Sequence, residues 1–251
     1  MDAENGLDAV RRAGALVAVA LERSVPRLTP SGPTLAEISA TAQEHLLPAR
    51  PSYLGYQGFP AACDIAVNEV VCSGVPGDRT LEPGDVVSLA LAGNIDGMHC
   101  AAATSHVVQA TEAHAEAVLL VERAREALRR AVAAVRPGRQ VNVPGRVIES
   151  YARRFGYGVV RDFGGHGIGA RLHQDPFVPG WDDPAATTAF SEGMIFTVQV
   201  MLTLGSPEIE TDAEGWNVAT KDRSKAAAFC DTVLVTATGT EILSDAGVGR
   251  F

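Results

Sequence analysis

The chain has 251 residues, of which 46% are hydrophobic and 20% charged, a composition typical of a globular protein rather than a disordered one. Its formal net charge is −9 and no run of Lys or Arg stands out, which argues against nucleic acid as a partner because phosphate binding needs a basic surface. No run of eighteen apolar residues is present, so we expect no membrane span. We expect one domain over residues 1–251.

The N-terminus and the cysteines predict the cellular compartment. Residues Met1–Asn5 are acidic and lack the basic-then-apolar order of a secretory signal peptide. The four cysteines have the spacing of neither a disulfide framework nor a zinc ribbon: Cys63, Cys72, Cys100 and Cys230. We therefore expect reduced thiols in a cytoplasmic protein.

Helical periodicity opens the chain. Apolar residues recur at helical spacing from Leu7 to about Leu28, which predicts a first helix. Thr34 with Glu37 three residues later forms a capping-box pattern, which predicts a second helix that ends near Pro48.

A strand region follows these helices, and the order then repeats. The first β-forming runs are Ile65–Val71, Val86–Leu91 and Val107–Gln109, with a hairpin signal at Asp96-Gly97. Two more helices are expected at Ala113–Val135 and from about Val143 to Phe155, and the later strand runs are Val159-Val160, Met194–Leu202 and Thr232–Thr236. Helix, helix and sheet twice over predicts two related halves around one pocket.

Three segments resemble motifs of the methionine aminopeptidase family. They are Asn68–Cys72, Gly164–Gly169 and Gly215–Ser224. The resemblance covers nearly the whole chain and implies the α/β (α+β) pita-bread fold, in which two pseudo-symmetric helix–helix–sheet halves enclose a central pocket.

The resemblance also points to changed metal positions. Members of the family bind two divalent metals through two Asp, one His and two Glu, and hydrolyse the N-terminal methionyl bond. Here the corresponding places hold Ala90, Ala101, His166, Gln199 and Cys230. Because alanine has no donor atom and two dications need anionic oxygen ligands, the pattern predicts no metal cofactor and no methionine aminopeptidase activity.

The substrate pocket of the family is partly retained. By the resemblance, Tyr56, Phe59 and Trp216 enclose the methionine side chain, although each could be an ordinary core residue. Asp64 and Tyr53 replace smaller residues beside this pocket. A carboxylate there would have a raised pKa and could move protons, whereas the alternative places Asp64 on a hairpin facing water.

Two histidines complete the predicted site. His166 and His173 lie seven residues apart on one loop, and with Asp64 they are the candidate acid/base catalysts; the alternative is a pair of structural histidines. Cys230 is a candidate nucleophile or, by the favoured alternative, a packing thiol. Ser73 stands where the family has another substrate-contacting His, and with Gln199 and Cys230 it is expected to line the substrate site.

Three hypotheses of function follow from these residues. The first is a metal-independent acid/base lyase or cyclase on an amino-acid-like amine, for example a Pictet–Spengler-type condensation in specialised metabolism. The second is a catalytically inactive pseudopeptidase that binds a peptide or protein. The third is a residual mono-metal hydrolase that uses His166 and Cys230. The first implies a small-molecule partner and no cofactor.

Overall fold

A computed structural model describes residues 3–245. In this part of the chain the helices are α1 Ala3–Ser24, α2 Leu35–Leu46, α3 Ala115–Ala134 and α4 Asn142–Arg153. The strands are β1 Arg50–Pro51, β2 Cys63–Val67, β3 Val70–Cys72, β4 Val86–Ile95, β5 Met98–Val107, β6 Gly158–Val159, β7 Gly164–Gly167, β8 Gln174–Pro179, β9 Ile195–Thr203, β10 Ile209–Thr211, β11 Val218–Thr220, β12 Ala226–Val235 and β13 Thr240–Ile242. Across residues 3–245, no helix combines the length and the apolar character that crossing a membrane requires.

The predicted capping box at the start of α2 is confirmed. The Thr34 hydroxyl accepts a hydrogen bond from the Glu37 amide at 3.2 Å, and the Glu37 carboxylate accepts one from the Thr34 amide at 2.8 Å. Two of the amides that a helix start leaves unpaired are thereby satisfied, so the sequence pattern locates this helix correctly.

The main sheet is antiparallel along the path β1-β4-β5-β12-β9-β7-β8, and β2, β6 and β13 pair at its sides. The hairpin between β4 and β5 turns at Asp96 and Gly97, whose φ values of 52° and 83° are those that a tight hairpin turn requires. Two strand predictions need correction. The run Ile65–Val71 is divided by a turn at Asn68-Glu69, and Val107 is the end of β5 rather than the start of a separate strand.

The two faces of this sheet carry different residues. On one face, large apolar side chains such as Leu89, Leu91 and Phe229 pack beneath the helices. Helices α1 and α2 cover the first-half strands, while α3 and α4 cover β9 and β12. The predicted arrangement of two helix–helix–sheet halves is therefore confirmed.

The opposite face carries the candidate site. Register pairing connects β2, β4, β5, β12 and β9 in one line, because residues that are directly paired across strands point to the same face. This line, which we call the cross-strand row, consists of Asp64, Ala90, Ala103, Cys230 and Gln199. The register thus places Asp64 on the face away from the helices and in line with Cys230 and Gln199.

Candidate active site

Asp64 stands at one end of the cross-strand row, in a nest of backbone amides. The Ser73 amide donates to its carboxylate at 2.8 Å and the Gly74 amide at 2.7 Å. Ser73 has φ 57°, and a Cβ on residue 74 would lie 2.2 Å from the Ile65 carbonyl oxygen, so glycine is needed there. Burial raises the pKa of Asp64 to about 6, and the two amide hydrogen bonds oppose that rise.

Tyr53 lies over the alanines of the sheet. Its ring packs against the cluster that contains Ala92 and Ala101. Burial raises the pKa of the Tyr53 phenol well above its ordinary value, and the nearby Cys230 and Asp64 raise it further. The phenol therefore occupies space between the two ends of the row, next to a position that the resemblance assigns to a metal ligand.

Phe59 and Trp216 form an aromatic wall, and Asn217, next to Trp216, accepts a hydrogen bond from Val75 in the segment whose amides hold Asp64. Phe59 and Trp216 meet edge to face, with ring centroids 5.4 Å apart and planes at 76°. The Trp216 amide donates to the Asp212 carboxylate at 3.0 Å, which fixes the loop that carries the indole. Two of the three predicted pocket aromatics are thus together.

The third aromatic, Tyr56, belongs to the histidine side of the site. Its hydroxyl lies 2.8 Å from His173 Nδ1, and the His166 and His173 rings are 4.1 Å apart. The Gly167 carbonyl can only accept, so His166 Nδ1 donates to it at 3.0 Å and Nε2 is left as an acceptor. Burial lowers the pKa of His166 to about 4 and lowers that of His173, so both rings are neutral near pH 7.

The other predicted site residues hold positions of different kinds. Gln199 and Cys230 are register partners in the row, and Cys230 is buried, as the packing-thiol alternative expects. Ser73 takes part through its backbone amide rather than through its hydroxyl. The predicted set thus forms two flanks: Asp64 with the Phe59–Trp216 wall, and His166 with His173 and Tyr56.

Sequence reasoning missed two threonines near the site, one that holds the backbone of His166 and one that ties β12 to Ala101 in β5. The Thr232 hydroxyl donates to the Ala101 carbonyl at 2.7 Å, and the Thr197 hydroxyl accepts from the His166 amide at 3.0 Å. Both lie two residues from a member of the row on the same strand. Strand alternation was therefore the signal that could have found them.

The residues present do not fit the pair of divalent metals that the family implies. At the five places given by the resemblance the donors are one imidazole, one thiol and one neutral amide, since two of the places are alanines. Two dications need anionic oxygen ligands to offset their charge. Within residues 3–245, no group of three or more His, Cys, Asp or Glu is arranged to hold a metal ion. No reaction step is therefore assigned to metals here.

Fold and site together define a peptidase-type pita-bread domain, and comparison with known proteins specifies the family. The sequence pattern of the metallopeptidase family M24 matches residues 8–237, and the chain belongs to that family. It is 44% identical over 240 residues to methionine aminopeptidase 2 of Mycobacterium tuberculosis, which covers 95% of this chain and 83% of that protein. It is 34% identical over 242 residues to methionine aminopeptidase of Escherichia coli K12, which covers 95% and 90%.

Solved structures confirm the pita-bread fold. The methionine aminopeptidase of Thermotoga maritima superposes with a TM-score of 0.91 at 30% identity, covering 96% of this chain and 97% of that one. The methionine aminopeptidase of Rickettsia prowazekii gives 0.92 at 31% identity, covering 96% and 98%.

These relatives contradict the first two of the three sequence-based hypotheses of function. A metal-independent lyase or cyclase, with or without Pictet–Spengler chemistry, conflicts with relatives that are named methionine aminopeptidase over nearly the whole chain. The predicted absence of methionine aminopeptidase activity, and with it the pseudopeptidase alternative, is contradicted by the same finding. The error came from inferring a reaction class from a few changed side chains, although similarity across the rest of the chain points to the peptidase class.

Proposed function

We propose that this chain acts on the N-terminal residue of peptides, in the class of its relatives named methionine aminopeptidase. The single observation that carries the proposal is the Phe59–Trp216 wall, which Asn217 links through the Val75 amide to the segment that holds the Asp64 carboxylate. An aromatic wall close to a polar anchor suits an unbranched apolar side chain such as that of methionine. A cytoplasmic location belongs to the same proposal and is supported by four buried thiols.

The two flanks would contact different parts of such a peptide. The aromatic wall takes the first side chain, and the neutral His166 and His173 can exchange hydrogen bonds with the peptide backbone beyond it. His166 Nε2 can accept from a peptide N–H, and His173 Nε2 can donate to a peptide carbonyl when its Nδ1 accepts from the Tyr56 hydroxyl.

Binding and cleavage are tested on the same peptides. Met-Ala-Ser and Gly-Ala-Ser are titrated calorimetrically, and free methionine is measured with added Mn²⁺, Co²⁺ or Zn²⁺ and with a chelator. We expect Met-Ala-Ser to bind about tenfold or more tightly than Gly-Ala-Ser, since burying the methionine side chain contributes about 1.5–3 kcal/mol. Free methionine reports cleavage.

A variant of the wall provides the control. Trp216→Ala should remove most of the preference for the methionyl peptide while leaving the affinity for Gly-Ala-Ser nearly unchanged. Equal affinity of the wild-type protein for both peptides, without methionine release, would contradict the proposed function.

A further inference from the structure

In five strands of the main sheet, β2, β4, β5, β12 and β9, one residue alone places a negative charge on the site face. The site-facing positions of β2, β4, β5, β12 and β9 alternate with those that pack beneath the helices. In these five strands, all of which lie in the described part of the chain, Asp64 is the one site-facing carboxylate. A cationic group that approaches this face of the sheet is therefore drawn to that end of the cross-strand row.

The Asp64 carboxylate has no cationic partner among the described residues. Its hydrogen bonds come from the backbone amides of Ser73 and Gly74, and none of the ion pairs formed within residues 3–245 includes it. A carboxylate presents about four acceptor positions, so the two amides leave about half of them free. Removing such a group from water is costly unless a counter-charge is supplied, which a ligand can do.

Backbone pairing joins this carboxylate to the aromatic wall. Strand β11 pairs with β3 so that Val218 faces Cys72, directly before the amides that hold Asp64. The Asn217 side chain, next to Trp216, also accepts from the Val75 amide at 3.0 Å. The indole and the two amides that hold the carboxylate therefore flank β11 and β3, which are paired strands of a second sheet with the order β10-β11-β3.

We infer that Asp64 binds the α-ammonium group of the peptide whose first side chain lies against Phe59 and Trp216; this rests on the proposed function. In an N-terminal residue a single carbon joins the ammonium nitrogen to the side chain. An apolar wall beside a carboxylate matches that arrangement. A primary ammonium has three donors, and hydrogen bonds between charged partners are the strong ones.

The test changes the charge on both sides of the contact. Wild-type protein and Asp64→Asn are titrated with Met-Ala-Ser, with N-acetyl-Met-Ala-Ser and with the des-amino analogue that lacks the nitrogen. For the wild type we expect the free-amine peptide to bind about 10- to 100-fold more tightly than either uncharged form. In Asp64→Asn this ratio should fall to within a few-fold of one, whereas a purely structural role would weaken all three ligands alike.

A matched control uses an exposed carboxylate on the connection between β3 and β4, which also supplies the two amides that hold Asp64. Asp78→Asn removes one charge there and should leave the free-amine ratio unchanged. If Asp64→Asn does not fold, the comparison of the free-amine peptide with the two uncharged ligands on the wild-type protein still tests the inference.

Three results would overturn the inference. If the wild type binds the free-amine and the uncharged peptides equally, the proposed function stands, but Asp64 does not bind the α-ammonium group. Tight binding of N-acetyl-Lys-Ala-Ser would place a side-chain ammonium there instead of the α-ammonium. If no methionyl peptide binds the wild type in any form, the proposed function fails first and this inference fails with it.

Discussion

Asp64 and His166, one on each flank of the site, are both half-buried, yet burial shifts their pKa values in opposite directions. On one flank, burial raises the pKa of Asp64 to about 6, but two backbone amides donate to the carboxylate and support its charge. On the other flank, burial lowers the pKa of His166 to about 4, and the neighbouring ring of His173 lowers it further. One flank therefore retains an anion near pH 7 while the other stays neutral, which gives this face of the sheet a polarity suited to an ammonium group.

The largest effect is expected from a variant that disrupts the histidine flank alone. In Gly165→Ala the new Cβ would lie 1.9 Å from the Thr197 carbonyl oxygen, so backbone has to move next to His166. We expect a loss of about 3 kcal/mol or more in the free energy of unfolding, measured in urea. The matched control is Gly77→Ala, whose Cβ would meet nothing within 4 Å, and its effect should stay within about 0.5 kcal/mol. Equal stability of the two variants would show that the flank tolerates backbone shifts.

A second effect is expected on the Asp64 flank, where the stability of the fold should depend on pH. Its pKa is raised on folding from 3.8 to about 6, so its protonated form stabilises the fold below pH 3.8, and that contribution is lost as the pH rises through 6. Relative to Asp64→Asn, the wild type should lose about 1–2 kcal/mol between pH 4 and pH 7, a figure reduced for partial exposure. Chemical unfolding of both proteins across that range measures the difference. A constant difference would mean that the carboxylate is not desolvated.

The smallest effect is expected at the contact between Tyr56 and His173. Tyr56→Phe removes the hydroxyl that lies 2.8 Å from His173 Nδ1, and should cost about 1 kcal/mol of stability in thermal unfolding. The wild-type preference for a free amine should persist, because that preference is assigned to the opposite flank. If the preference fell in this variant, the two flanks would not act separately.

The fold could be predicted from local patterns because those patterns agree with the tertiary structure. The Thr34–Glu37 capping box and the Asp96-Gly97 turn both have the predicted geometry. Most of β5 was not predicted, because its run Cys100–Thr104 is mainly alanine, a residue with low strand preference. Its pairing with β4 and β12 makes it a strand, and this pairing is a tertiary contact that spacing along the chain does not report.

The sequence predicts which residues form the candidate site better than it predicts how their side chains are oriented. Asp64 lies on the site face through the register of β2 against β4, and the rings of His166 and His173 are in contact. Tyr56 is predicted beside Phe59, and the contact of its hydroxyl with His173, 117 residues away in sequence, is one that local spacing does not report. Reaction class was the least predictable property, since a changed donor set alone does not specify which bond a protein acts on.

A structure of the protein crystallised with Met-Ala-Ser would show directly whether Asp64 binds the α-ammonium group of the peptide. We predict the ammonium nitrogen within about 3 Å of the Asp64 carboxylate and the methionine side chain between Phe59 and Trp216. A peptide whose ammonium lies against Gln199 or Cys230, with Asp64 contacting only its two backbone amides, would contradict it.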